Sequence, residues 1–313
     1  MEGKQLSSEE KDELWERINR GVAKGGVRQA NWLKAVAAVA VLGVAATAWF
    51  ISRGPASPLE EMMAVARVAD TITSHEVRVV TIRPGGPSED KNLPTYRTVV
   101  VPYGERTLVE LPDSTRIWLN SGSTLVYPEL FTGGQRQVYL EGEGYFDVRH
   151  NEDRPFFVQL RDMEIKVLGT EFNVSAYTDD ESANVMLVKG SVELRLSGNP
   201  SSKDTKTRLA PHEVAVYRTT DHALEVRPAP ADEFASWRSG FMVFRNTELA
   251  DILKKLQRYY RIRIRLEQPG LAAATFSGPL DLKKDIDEVL DIICLTTSLE
   301  YEKTEGEIVL KEK

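Results

Sequence analysis

Apolar and polar positions follow three rhythms along this chain, and each predicts a different kind of structure. Between Ser7 and Val22, the residues Leu14, Trp15, Ile18 and Val22 recur at helical spacing. Ser7 and Glu10 make a capping-box pattern, Glu9, Asp12 and Glu13 suit the positive end of a helix dipole, and Gly21, Gly25 and Gly26 end the pattern. From Ala35 to Ile51 charge disappears altogether. With Trp32, Leu33 and a snorkelling Lys34 this run reaches the roughly 20 residues that a bilayer span needs. Trp32 and Trp49 sit where interfacial aromatics belong.

From Tyr96 to about Tyr217 the period is two. Apolar pairs stand at Val109/Leu111, Ile117/Leu119, Val138/Leu140, Phe146/Val148, Ile165/Val167, Phe172/Val174, Val185/Leu187, Val192/Leu194 and Val214/Val216. Turn signals separate them, among them Pro112-Asp113-Ser114, Asn120-Ser121-Gly122 and Lys189-Gly190. Short strands at this spacing predict an all-β domain, whether sandwich, barrel or solenoid-like stack. In the last seventy residues the period changes again. Leu249, Ile252, Leu253 and Leu256 mark a helix face, and Ile286, Val289, Leu290 and Ile293 repeat it at an offset of 37. Ile262 and Ile264 of a following strand map onto Leu299 and Tyr301. Two strand-helix-strand halves of this kind predict a small α+β domain with both helices packed on a sheet. The final strand, Glu307 to Lys311, has Lys and Glu at its flanks, as an edge strand would.

Charge orients the span. Arg20, Lys24, Arg28 and Lys34 precede it closely, whereas Arg53 and Arg67 are the nearest basic residues after it. The positive-inside rule puts the N-terminus in the cytoplasm and the bulk of the chain across the membrane. The net charge is −7; the first 34 residues hold seven basic and six acidic side chains, leaving −8 beyond them, which disfavours nucleic acid as a partner. A single cysteine, Cys294, excludes an internal disulfide. The cytoplasmic helix is too short to be stable alone in water, so its apolar stripe needs a partner.

Candidate chemistry is sparse. Glu141 and Glu143 lie two apart on a strand, so they share a face at ~7 Å, a spacing an inverting glycosidase could use; alternate acids on a strand more commonly mark a solvated face. His75, His150, His212 and His222 show no metal-ligand spacing, and no nucleotide or hydrolase motif is present. Arg261, Arg263 and Arg265 form a basic strand face; at the repeat offset Arg263 and Arg265 meet Glu300 and Glu302, which points to a cross-strand or protein contact.

The blocks Val101-Pro102-Tyr103-Gly104-Glu105-Arg106, Leu111 to Ser123, Leu140 to Val148, Arg154-Pro155-Phe156 and Val167 to Val174 resemble the FecR family of transmembrane anti-sigma regulators. The duplicated C-terminal unit is similar to the short domain of secretins and of TonB-dependent receptors. The resemblance implies five parts. A cytoplasmic helical segment (1–31) and a transmembrane helix (32–51) lead to a periplasmic juxtamembrane segment (52–96), a FecR-like β domain (97–230) and a short α+β domain (240–313). It implies an extracytoplasmic-function (ECF) sigma factor on the cytoplasmic side, held here by Leu14, Trp15 and Ile18. It also implies the signalling domain of a TonB-dependent outer-membrane receptor on the periplasmic side, with Arg261, Arg263, Arg265, Glu300 and Glu302 as its contacts. No metal or cofactor is implied, and no enzyme activity beyond the self-cleavage of some members at a Gly-Thr bond, here Gly169-Thr170. Gly permits a strained peptide there and Thr supplies the hydroxyl; a plain strand-entry turn would use the same residues. The family usually has Gly where Ser114 stands, so that turn is expected at positive φ. Many members have a longer cytoplasmic domain than the thirty residues seen here. A membrane-anchored periplasmic scaffold without a sigma partner is the alternative.

Overall fold

The structure is a computed structural model that describes residues 58–69, 76–82, 95–197 and 206–313. The predicted cytoplasmic helix, with Leu14, Trp15 and Ile18, and the predicted span at 32–51 lie outside the described residues. Among the described residues no helix is long and apolar enough to cross a membrane.

The alternating segment forms two sheets around one core. The first runs β1 (Arg78–Ile82), β2 (Tyr96–Val100), β5 (Thr124–Pro128), the start of β6 (Arg136–Asp147), β7 (Phe156–Gln159), β8 (Met163–Val167), β11 (Val192–Leu196) and β12 (Lys206–Leu209). The second runs β3 (Thr107–Glu110), β4 (Arg116–Leu119), the end of β6, β9 (Glu171–Ala176), β10 (Ser182–Lys189), β13 (Glu213–Arg218) and β14 (Leu224–Pro228). Leu125, Val158 and Ile165 from the first sheet meet Ile117, Phe146, Phe172 and Val185 from the second in a single buried cluster. Phe146 stacks on Phe172 at 4.9 Å between ring centres.

The chain makes one continuous strand of twelve residues, β6, which carries Val138, Leu140 and Phe146, and this strand belongs to both sheets. Gly142 is where it changes sheet. Its φ is +100°, and a Cβ there would lie 2.7 Å from the Ser123 Cα, so a side chain would collide with main chain as well as strain the backbone. The turn before β4 behaves as expected: Ser114 has φ 66°. Asp113 ties that turn, accepting from the Thr115 N–H and hydroxyl and from the buried Arg136, whose Nη1 is 2.7 Å away.

Residues ahead of the β domain join it. Helix α1 (Pro58–Ala69) lays Met62, Val65 and Ala66 on Tyr96, Val126 and Tyr139, and the Tyr96 hydroxyl donates to Glu61 at 3.1 Å.

After a short helix α2 (Asp232–Ala235), the C-terminal unit runs β15 (Phe241–Glu248), α3 (Leu249–Tyr260), β16 (Arg263–Leu266), β17 (Thr275–Asp281), α4 (Ile286–Thr297), β18 (Leu299–Thr304) and β19 (Glu307–Glu312). The repeat is followed to the residue: α3 and α4 begin and end at the offset of 37 and stop at left-handed caps, Arg261 (φ 53°) and Ser298 (φ 56°). The strands depart from expectation. They make two small sheets, β15–β17 and β16–β19–β18, and β19 is the central strand of the second. The edge placement inferred from its charged flanks is therefore wrong. The β18–β19 hairpin folds back through Gly306 and slots β19 beside β16 in parallel register, burying Ile308, Val309 and Leu310 in succession. Three consecutive buried apolar residues are the mark of a covered strand.

Candidate functional site: the junction of the two folded parts

The outer face of the second sheet is covered by the C-terminal unit. Tyr145 of β6 is buried within that unit's core, and Trp118 and Val188 pack against it. Among these apolar contacts lies a buried polar cluster built from three neighbouring strands. Glu143 (β6) accepts from Asn120 Nδ2, just after β4, at 2.8 Å and from Asn173 Nδ2 (β9) at 3.1 Å. The Asn120 Oδ1 accepts from the Ser121 N–H, and the Asn173 Oδ1 accepts from Trp237 Nε1 at 3.1 Å. Both amides are thus fixed with their NH2 groups toward Glu143, so both carboxylate oxygens must be acceptors. Burial pushes the Glu143 carboxyl up; Lys255, the two amides and Arg258 oppose that.

A second buried charge closes the junction. Arg258, in the last turn of α3, puts its guanidinium 3.8 Å over the Tyr177 ring and donates to Asp179 at 2.6 Å and to Asp180 at 2.6 and 3.0 Å. Burial alone would lower its pKa, and the carboxylates more than reverse this. The Tyr177 hydroxyl donates to the Ser121 carbonyl, the Lys254 ammonium to the Asp179 carbonyl, and the Gly104 N–H to the Arg258 carbonyl. Main chain and side chain therefore bind α3 to the β domain together.

This corrects the reading of Glu141 and Glu143 as a shared face. Gly142 turns the strand between them, so Glu141 pairs across from Thr124 in one sheet while Glu143 lies in the other. Glu143 is buried, its two oxygens are occupied, and the space beside it is only about 10 Å³, less than a water fills comfortably. It holds structure and has no room for a substrate.

The predicted contacts fall elsewhere. Arg263 and Arg265 are exposed on β16, and Glu300 and Glu302 are exposed on β18, the opposite edge of the same sheet. They do not meet: Arg265 pairs with Glu307 at 3.7 Å, and Lys311 pairs with Glu300 and Glu302 at 3.6 and 3.2 Å. Arg261 caps α3, its side chain against Gly104. Gly169-Thr170 forms the turn between β8 and β9. A Cβ on Gly169 would lie 2.6 Å from the His150 Cα, and the buried Thr170 hydroxyl donates to the Ser191 carbonyl at 2.9 Å. The turn borders a cleft of about 400 Å³ that also reaches Lys166, Glu193 and Arg208. Among the described residues no His, Cys, Asp and Glu cluster could hold a metal.

Comparison with known proteins fits this layout. The family description "FecR protein" matches residues 97–193, and "FecR, C-terminal" matches residues 241–310. Two crystal structures of a Parabacteroides distasonis protein assigned as an anti-sigma factor align at 32% identity and TM-score 0.65, over 69% and 70% of this chain and 99% of those chains. No curated protein matches. The chain belongs to the FecR family.

The amide geometry makes a sharp prediction. Glu143→Gln preserves shape but replaces one acceptor with a donor aimed at a fixed Asn NH2, so it should cost ~2 kcal/mol or more. Glu110→Gln, at an exposed position of β3, should cost under ~0.5 kcal/mol. Urea unfolding of both variants measures the contrast; equal stability would mean that the carboxylate is not required.

Proposed function

We propose that this chain is an anti-sigma regulator of the cytoplasmic membrane. Its N-terminal helix holds an extracytoplasmic-function sigma factor, and its large C-terminal part receives the signalling domain of a TonB-dependent outer-membrane receptor. The observation that carries the reading is family membership, together with likeness to an assigned anti-sigma factor over nearly all of its crystallised chain. FecR-family proteins are regulators, and the occupied buried groups at the junction suit a protein that transmits rather than catalyses. The apolar run at 32–51 supports the span, and the basic residues before it support a cytoplasmic N-terminus.

On the receptor side, β16 and β18 are the open edges of their sheet among the described residues. Arg263 and Arg265 on one edge, or Glu300 and Glu302 on the other, would guide an incoming strand. A signal received there lies one short strand from α3, whose last turn carries Arg258. Movement of the unit would load the junction directly.

The sigma-factor half rests on Leu14, Trp15 and Ile18, which bury roughly 1.5–3 kcal/mol each when covered. Replacing all three by Ala should abolish co-purification of the sigma factor and raise transcription of its target genes. Unchanged binding would favour the membrane-anchored scaffold instead.

Processing at Gly169-Thr170 belongs to the same reading. The Thr170 oxygen would attack the Gly169 carbonyl carbon, forming an ester as the peptide C–N bond breaks and the amine takes the hydroxyl proton; water then hydrolyses the ester. The purified protein should migrate as two pieces, Thr170→Ser should also be cut, and Thr170→Ala should stay whole. A single intact wild-type species would leave this turn a structural one.

A further inference from the structure

A cleft of about 430 Å³ lies where β3 and β4 meet the C-terminal unit, and its lining is strongly basic although the chain is acidic overall. Arg106, Arg238 and Lys283 face one carboxylate, Glu105. The three cations rest on aromatic faces rather than on acids: Arg106 over Tyr259 at 4.6 Å, Arg238 over Tyr145 at 3.4 Å and Lys283 over Phe241 at 5.0 Å. Arg106 also donates to the Trp237 carbonyl at 3.2 Å, whereas Arg238 and Lys283, stacked in this way, keep donors turned toward an incoming anion. The floor is apolar, formed by Trp118 and by Leu108, which is 52% exposed.

The same place offers main chain. Strand β3 pairs only with β4 among the described residues. The Leu111 N–H bonds the Thr115 carbonyl, and antiparallel bonding alternates from there, so Val109 and Thr107 bond across to β4 while Leu108 and Glu110 turn their N–H and C=O outward. An open edge beside a cleft with a surplus of positive charge fits one kind of ligand.

We propose that β3 is a docking edge for an extended acidic segment of a partner protein, which adds as a strand while its carboxylates reach Arg238 and Lys283. This site is separate from the β16 and β18 edges considered for the receptor, and it does not depend on that reading. The exposed Leu108, with the half-buried Trp118 beside it, would cover the partner's apolar positions, and the basic rim would select its sign.

Fluorescence anisotropy on the full chain in detergent tests this with two labelled heptapeptides, Thr-Glu-Val-Glu-Val-Glu-Thr and the same peptide with Lys for Glu. The acidic peptide should bind saturably and at least ~10-fold tighter. Arg238→Glu with Lys283→Glu should weaken it by at least ~10-fold. Arg238→Gln, which removes the charge without reversing it, should weaken it severalfold if the double reversal does not fold. Leu108→Pro removes an outward N–H without touching the β4 ladder and should also abolish binding. Arg263→Glu with Arg265→Glu should change nothing. Absence of saturable binding, indifference to peptide charge, or full affinity in the Arg238 variants would overturn the proposal. Binding untouched by Leu108→Pro but displaced by millimolar inorganic phosphate would make the cleft an anion pocket and refute strand addition.

Discussion

A carboxylate buried between two folded parts is the constraint on which the rest of this structure turns. Removing a charge from water costs several kcal/mol unless its partners are in place. For Glu143 those partners come from the two strands flanking its own, and one of them, Asn173, is itself fixed by Trp237 from beyond the sheet. The β domain supplies both partners of its buried acid, and the unit that follows fixes one of them through Trp237. Arg258 presents the same dependence from the other side: a guanidinium in the short domain whose acids, Asp179 and Asp180, stand in the turn after β9. Arg258 thus takes its partners from the β domain, while Glu143 has its neighbouring amide held by Trp237.

The backbone devices serve this arrangement. Gly142 lets β6 cross from sheet to sheet and thereby puts Glu143 and Tyr145 on the outer face, toward the C-terminal unit. Ser123 assists there, its hydroxyl accepting from the Glu143 N–H at 2.8 Å. Asp113 and Arg136 stiffen the neighbouring turn. A joint made of buried charges is strong while intact and fails abruptly once a partner is withdrawn.

Much of this was legible in the sequence, for identifiable reasons. Alternating apolar pairs mark strands that bury one face, and the second-half helix was readable because a repeat offset of 37 carries the four core positions together. Ser114 betrayed its positive φ by standing where relatives place Gly. The failures share a different cause. Period-two patterns do not say which strands become neighbours, so β19 passed for an edge. Polar residues on a strand look solvated unless the covering unit is known, and so Glu143 seemed exposed. The visible clue was that Asn120, Glu143 and Asn173 each sit inside one of the ordered motifs, but their meeting point depends on the sheet order β4–β6–β9. Arg258 was hidden in an ordinary amphipathic helix.

The central claim is that the β domain and the C-terminal unit are one body because buried charges join them, and hydrogen exchange on the full chain tests it most directly. In the wild type, the slowest amides of β6 and of α3 should open with the same free energy. In Arg258→Ala, the α3 amides should exchange much faster while those of β6 stay as they were. Independent opening in the wild type, or unaltered α3 exchange in the variant, would contradict the account.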